Sequence, residues 1–213
     1  MTLRTRGRER ERTLTASAYF SERYFSMQQL CAFAHQLHQI WRMKPANVIE
    51  IGVGNGFVSS YLKRAGVPVT TVDINPDLQP DICADLSDLP GLLSGKYDLV
   101  VCCEVLEHMP FYEFGANLDY LRAVGDRLLL TLPSAHRTYG FGGLLTLPRL
   151  RVLCDFHVSI PIKGRVPAAH YWELGSEKEC SRAVVVKMLK ERYGVCKAGR
   201  LPLQPYHWLF ECS

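Results

Sequence analysis

The chain has 213 residues, 47% of them hydrophobic and 22% charged, with a net charge of +4. That length and balance describe one soluble globular domain with a substantial core and exclude a disordered or fibrous chain. Five arginines against two glutamates put +3 of the charge in the first twelve residues, so the near-neutral remainder has no electrostatic footprint for nucleic acid.

The eight cysteines include no C-x-x-C pair and no regular spacing. Neither a metal site nor a disulfide framework is expected. No 18-residue apolar stretch occurs, and the arginine-rich start leads into no apolar signal core; the reading is a cytoplasmic protein without a membrane span. Nothing in the sequence bears on oligomeric state.

Residues 1–15 read as a basic, flexible, solvated tail, with RNA or an anionic membrane surface as alternative partners. From 16 to 41, Phe20, Tyr24, Met27, Leu30, Phe33, Leu37, Ile40 and Trp41 recur at three- and four-residue steps, predicting one amphipathic helix. Tyr19, Arg23 and Tyr24 at its start either pack structurally or reach over a neighbouring pocket. Pro45 then breaks the helix ahead of a first strand.

Val48-Ile49-Glu50-Ile51-Gly52-Val53-Gly54-Asn55-Gly56-Phe57 is the most informative stretch. Strand formers end in glycines at alternate positions, the pattern of a buried strand turning sharply into a helix. Glycine here serves turn geometry alone or lets a ligand approach the backbone. A dinucleotide site wants Gly-x-Gly-x-x-Gly, with its pyrophosphate on the helix N-terminus. In this chain the third glycine comes one residue early, and Glu50 would repel a phosphate. A ligand with positive charge and no phosphate, such as S-adenosylmethionine, suits the turn better.

The helix over 57–65 closes at Gly66. A second strand over 67–72 ends in Asp73, twenty-one residues beyond Gly52 and followed by Ile74. An acid at that tip accepts ribose hydroxyls of either nucleoside cofactor. A short strand over 81–86 carries Asp85 and Leu86, which pair with an adenine edge or else cap the helix over 87–93. The apolar run 97–103 predicts a central parallel strand, and Cys103-Glu104-Val105-Leu106-Glu107-His108 at its carboxyl end borders the same crevice. A helix over 112–124 and a buried strand over 127–133 follow. From 134 to 175 the pattern dissolves into Gly, Pro and aromatic residues, including His136, Tyr139, His157 and the cluster His170-Tyr171-Trp172-Glu173, with a short strand near 156–162. A loop of that length reads as a substrate lid. Ser176 and Glu179 are spaced as a capping box for a helix over 176–192, and two apolar stretches, 195–201 and 206–212, form a terminal antiparallel hairpin.

Strands and helices alternating in this way predict an α/β, doubly wound, mostly parallel sheet. The unit starts at residue 16, with a helical cover over 16–44, a cofactor-binding core over 45–133, the lid over 134–175 and a terminal helix and hairpin over 176–213.

With these residues laid out, the chain resembles the class I S-adenosylmethionine-dependent methyltransferases, in their small-molecule branch. Acid-x-Gly-x-Gly-x-Gly is matched by Glu50, Gly52, Gly54 and Gly56, and the tract 102–108 resembles the "E-V-L-E-H" segment of that branch. The resemblance implies a Rossmann-like sheet of seven strands with a reversed terminal strand. It also implies S-adenosylmethionine as cofactor: Glu50, Gly52 and Gly54 around its methionine portion, Asp73 at the ribose hydroxyls with Ile74 a further cofactor-binding residue, Asp85 and Leu86 at adenine, and Cys103 bordering the cofactor. No Pro-Pro-Tyr-like tetrapeptide follows Cys103, which argues against nucleic-acid bases and for a small-molecule acceptor. Where the nucleophile carries a proton, His108 and His170 are the candidate bases; a structural role is the alternative for each. The competing functions are an NAD(P)-dependent oxidoreductase on the same kind of sheet and a non-catalytic cofactor-binding protein.

Overall fold

The computed structural model describes residues 7–22, 24–147, 152–201 and 204–213, with the backbone alone for 137–147, 152–159, 161 and 163. A short helix α1 (Arg8–Thr13) and a 3-10 turn (Ala16–Phe20) precede α2 (Met27–Met43), β1 (Val48–Ile51), α3 (Phe57–Arg64), β2 (Val69–Asp73) and β3 (Ile82–Cys83). Then come α4 (Leu89–Leu92), β4 (Tyr97–Cys103), α5 (Phe114–Val124), β5 (Gly125–Pro133), β6 (His136–Leu147), β7 (Val152–Lys163), α6 (Arg182–Tyr193), β8 (Cys196–Leu201) and β9 (Gln204–Cys212).

Seven strands form one sheet in the order β3-β2-β1-β4-β5-β9-β8. The first five run parallel, and β9 enters antiparallel between β5 and β8. The strand order reverses between β1 and β4, which opens a crevice at their carboxyl ends.

Alternate side chains of β4 feed opposite faces, as the pleat requires. Leu99 and Val101 join Phe33, Ile40 and Leu62 on the face covered by α2 and α3. Val100 and Cys102 join Leu118, Leu121, Val185 and Leu189 under α5 and α6. With both faces covered, this strand reads as a continuous apolar run.

Four expectations need correction. The helix expected over 16–41 is broken: Ser26 accepts a hydrogen bond from the Gln29 amide at 3.3 Å and caps α2, which starts at Met27. Its buried face is Gln29, Ala32, Phe33, Gln36 and Ile40, while Met27 and Trp41 are 72% and 66% exposed. The capping box at Ser176 does not start a helix. Ser176 accepts from the Glu173 amide in a turn, and α6 begins after Ser181. The segment expected as a loop holds a hairpin, β6 against β7, in register from His136↔Lys163 to Leu147↔Val152. Arg8–Thr13, in the expected flexible tail, is helical and packs against the carboxyl ends of the strands.

Among the described side chains the cysteines are free thiols. Among the described residues no helix is long and apolar enough to cross a membrane.

Candidate active site

Gly52, Gly54 and Gly56 have φ of 84°, 55° and 69°, in the left-handed region that other residues enter at a cost. At Gly52 the approach is also steric, since a Cβ would lie 2.5 Å from Val105 Cγ2. The loop therefore closes onto the segment after β4 only with glycine there. Asp73, at the tip of β2, fastens the loop from the other side. Its Oδ2 accepts from the Val53 amide at 2.8 Å and its Oδ1 from the Asn75 amide at 2.9 Å. Burial raises its pKa while these amide bonds work against that rise. A carboxylate has about four lone-pair sites, so acceptor capacity for a ligand hydroxyl remains.

Glu50 stands on β1 between Thr71 and Val101. It is 6% exposed, and its Oε2 has no hydrogen-bond partner among the described residues. Burial pushes its carboxyl up to about 7, partly offset by Ser59 and Lys63. A buried, half-satisfied acid is costly. A cation placed against it removes that cost.

The segment after β4 builds the opposite wall. Glu104 takes φ 59°, a backbone conformation that costs a non-glycine residue about 1–3 kcal/mol. Glu107 is 1% exposed and its Oε2 also lacks a partner among the described residues. Burial first, then Glu104, pushes its carboxyl well up. His108 Nδ1 lies 3.3 Å from the Ala169 carbonyl oxygen and 3.4 Å from Glu11 Oε1. Burial lowers the pKa of this imidazole, against the pull of Glu11, which leaves it neutral near pH 7.

His170 meets His108 edge to face, with ring centroids 5.1 Å apart. Two bonds bring it there from the far side of the hairpin: the Tyr171 amide donates to the Glu107 carbonyl at 2.9 Å, and Trp172 Nε1 donates to the Met109 carbonyl at 3.0 Å. Trp172 packs against Phe111 and Phe114. The Trp172 ring and the Tyr171 amide therefore anchor the segment while its histidine faces the crevice. Glu173, 1% exposed, takes His170 Nδ1 at 2.8 Å and accepts from the Tyr206 hydroxyl. That carboxylate fixes the imidazole with its proton on Nδ1.

All ten residues singled out from the sequence line one pocket: Glu50, Gly52, Gly54, Asp73, Ile74, Asp85, Leu86, Cys103, His108 and His170. Tyr19 and Tyr24 line it too, whereas Arg23 lies outside the described residues. From the segment read as a lid, the described wall takes Ala169 and His170.

Several wall residues escaped the sequence reading. Gln29 and Gln36 sit two turns apart on α2, a polar pair inside an apolar stripe that their spacing could have betrayed. Tyr206 and His207 arrive because β9 pairs with β5, Pro133 opposite His207, and no local pattern announces that. From α1, Arg8 Nε reaches Asp85 Oδ2 at 2.8 Å and its Nη1 reaches Glu113 at 2.7 Å. Glu11 accepts from the Tyr19 hydroxyl at 2.9 Å. The tail thus folds over the pocket at Asp85.

A family model described as a methyltransferase domain matches residues 22–136, more than half of the chain. The chain belongs to the methyltransferase-domain family. The motif resemblance to class I S-adenosylmethionine-dependent methyltransferases is thereby borne out. Among its curated relatives, the ubiquinone biosynthesis O-methyltransferase of Xanthomonas axonopodis pv. citri (strain 306) is 32% identical over 85 aligned residues, a match taking in 32% of this chain and 36% of that protein. The same-named protein of Xanthomonas oryzae pv. oryzae (strain PXO99A) is 32% identical over 79, taking in 30% and 33%. The chain spans about a third of the length of these curated relatives.

Solved structures share the fold over more of the chain. Magnesium protoporphyrin IX methyltransferase from Synechocystis PCC 6803 with bound SAH superposes with a TM-score of 0.57 at 21% identity, covering 86% of this chain and 81% of that one. The 1,6-didemethyltoxoflavin-N1-methyltransferase of Burkholderia thailandensis gives 0.54 at 18%, covering 92% and 82%.

Proposed function

We propose that the protein transfers the methyl group of S-adenosylmethionine to a hydroxyl oxygen of a small molecule. The observation that carries this reading is the Glu50 Oε2, buried and without a partner among the described residues, beside glycines whose φ is positive. A ligand with an ammonium and no phosphate suits that end. Glu50, Gly52 and Gly54 would hold the methionine portion, Asp73 the ribose with Ile74 beside it, and Asp85, which Arg8 also meets, and Leu86 the adenine, with Cys103 bordering the cofactor near Glu50. When bound, the cofactor supplies a methyl on a sulfonium: the new bond to oxygen forms as the carbon–sulfur bond breaks, and its electron pair leaves on sulfur.

The chain's own residues supply placement, which accounts for much of such a reaction. Across the pocket, His108 and His170 stand where an acceptor enters. A neutral imidazole there takes the hydroxyl proton, and Glu173 holds His170 in the tautomer whose Nε2 is free to accept. The choice of oxygen draws support from the O-methyltransferase relatives. The test incubates the chain with methyl-labelled cofactor and a cell extract. The reading expects label in a low-mass fraction as a methyl ether; label in protein or nucleic acid, or as N-methyl, overturns it.

A further inference from the structure

Glu107, His108 and His170 each offer one ligand atom, and the three atoms lie within 4.8 Å of one another. We propose that these residues form a site for a divalent transition-metal ion of the Mn2+ to Zn2+ series, beside the acceptor oxygen. The expectation of no metal, drawn from cysteine spacing, did not bear on a site built of histidine and glutamate.

Four observations converge. Glu107 Oε2 is buried and has no hydrogen-bond partner among the described residues, an acceptor held open at a cost. Each imidazole has its Nδ1 engaged, His108 with Ala169 and His170 with Glu173, so in the neutral form each keeps a lone pair on Nε2. The Glu173 carboxylate behind His170 is the outer partner that ligating histidines regularly have, and the Tyr206 hydroxyl steadies it in turn. Glu104, Glu107 and Glu173 crowd this wall, and among the described residues no lysine or arginine pairs with any of them.

The donor set decides the class of ion. Two nitrogens and one carboxylate suit zinc and its first-row neighbours better than magnesium or calcium, which prefer oxygen throughout. In a tetrahedral site with bonds of about 2.0–2.2 Å, neighbouring ligand atoms sit about 3.3–3.6 Å apart, so the side chains close by up to about 1.5 Å when the ion binds. Three protein ligands leave open positions, as catalytic sites do.

This inference rests on the methyltransferase reading for what the ion does, though not for whether it binds. The ion makes the acceptor hydroxyl more acidic. Its O–H bond breaks with the proton passing to water, the oxygen then forms its bond to the methyl carbon, and the carbon–sulfur bond breaks. With the ion in place the histidines serve as ligands.

The experiment titrates Co2+ into the untagged, EDTA-treated full chain and follows visible absorption, with S-adenosylhomocysteine binding measured in parallel. One equivalent should develop ligand-field bands of a nitrogen-containing, low-symmetry site. Glu107→Gln and His170→Gln should each weaken Co2+ at least tenfold while retaining S-adenosylhomocysteine. Wild-type protein that binds S-adenosylhomocysteine but leaves the spectrum of the hydrated ion overturns the metal site and spares the methyltransferase reading. A Co2+ spectrum and affinity the same in wild type and both variants overturns the site as well. Failure of wild type to bind S-adenosylhomocysteine counts against the methyltransferase reading alone. Where a variant melts early, the wild-type titration decides.

Discussion

At the scale of single residues, Glu50 carries the clearest pH signature. Its carboxyl is pushed up to about 7 by burial, against about 4.5 in an unfolded chain. Between those values the folded state holds a proton that the unfolded state has lost, so the ligand-free protein loses stability as pH rises through this window. The full shift amounts to about 3 kcal/mol. Urea melts of wild type and Glu50→Gln should give similar stabilities near pH 4.5, and by pH 8 the variant should be the more stable by up to that amount. A difference that does not change with pH would show that Glu50 is not held protonated. A bound ammonium reverses the preference, favouring the carboxylate. The residues around Glu50 were legible because they lie at strand ends, where one short sequence window holds both the strand and its terminal acid or glycine. Glu173 stood beside His170 in the 170–173 cluster, but its other partner, Tyr206, comes from β9, and His207 meets Glu104 from a distant part of the chain, so neither role had a local pattern.

At the scale of elements, the cap over the pocket is the testable feature. α1 touches the body through Arg8, which bridges Asp85 and Glu113, and through Glu11, which meets Tyr19 and His108. Arg8→Ala removes both bridges while leaving the sheet intact. Release of S-adenosylhomocysteine, followed by stopped-flow fluorescence, should quicken several-fold with the melting temperature little changed. An unchanged release rate would mean that α1 does not gate the pocket. Alternating arginines and glutamates advertise only solvated charge, and the acids that hold this helix lie some 75 to 105 positions away, so the sequence read as a tail. Two other elements were misread for different physical reasons. The apolar spacing from Phe20 to Met27 ran on past Ser26 and hid a cap that was present in the sequence. Gly140, Gly142 and Gly143 interrupted the alternation that would otherwise have marked β6 as a strand.

At the scale of the whole molecule, the sheet order explains why one pocket collects residues from position 8 to position 207. The reversal between β1 and β4 gathers the ends of β1, β2 and β4 on one rim. β9 adds Tyr206 and His207, and the anchored 170–173 segment closes the side at His108. The succession of the central strands along the chain was readable, since buried parallel strands are continuous apolar runs separated by helices. The closure was not, since it depends on contacts between segments that share no local pattern. The most direct test of the central claim is calorimetric titration of the full chain at pH 7.5 with S-adenosylhomocysteine and, separately, with NADH. The account predicts one site and measurable heat for S-adenosylhomocysteine, and none for NADH. Heat with NADH and silence with S-adenosylhomocysteine would contradict it.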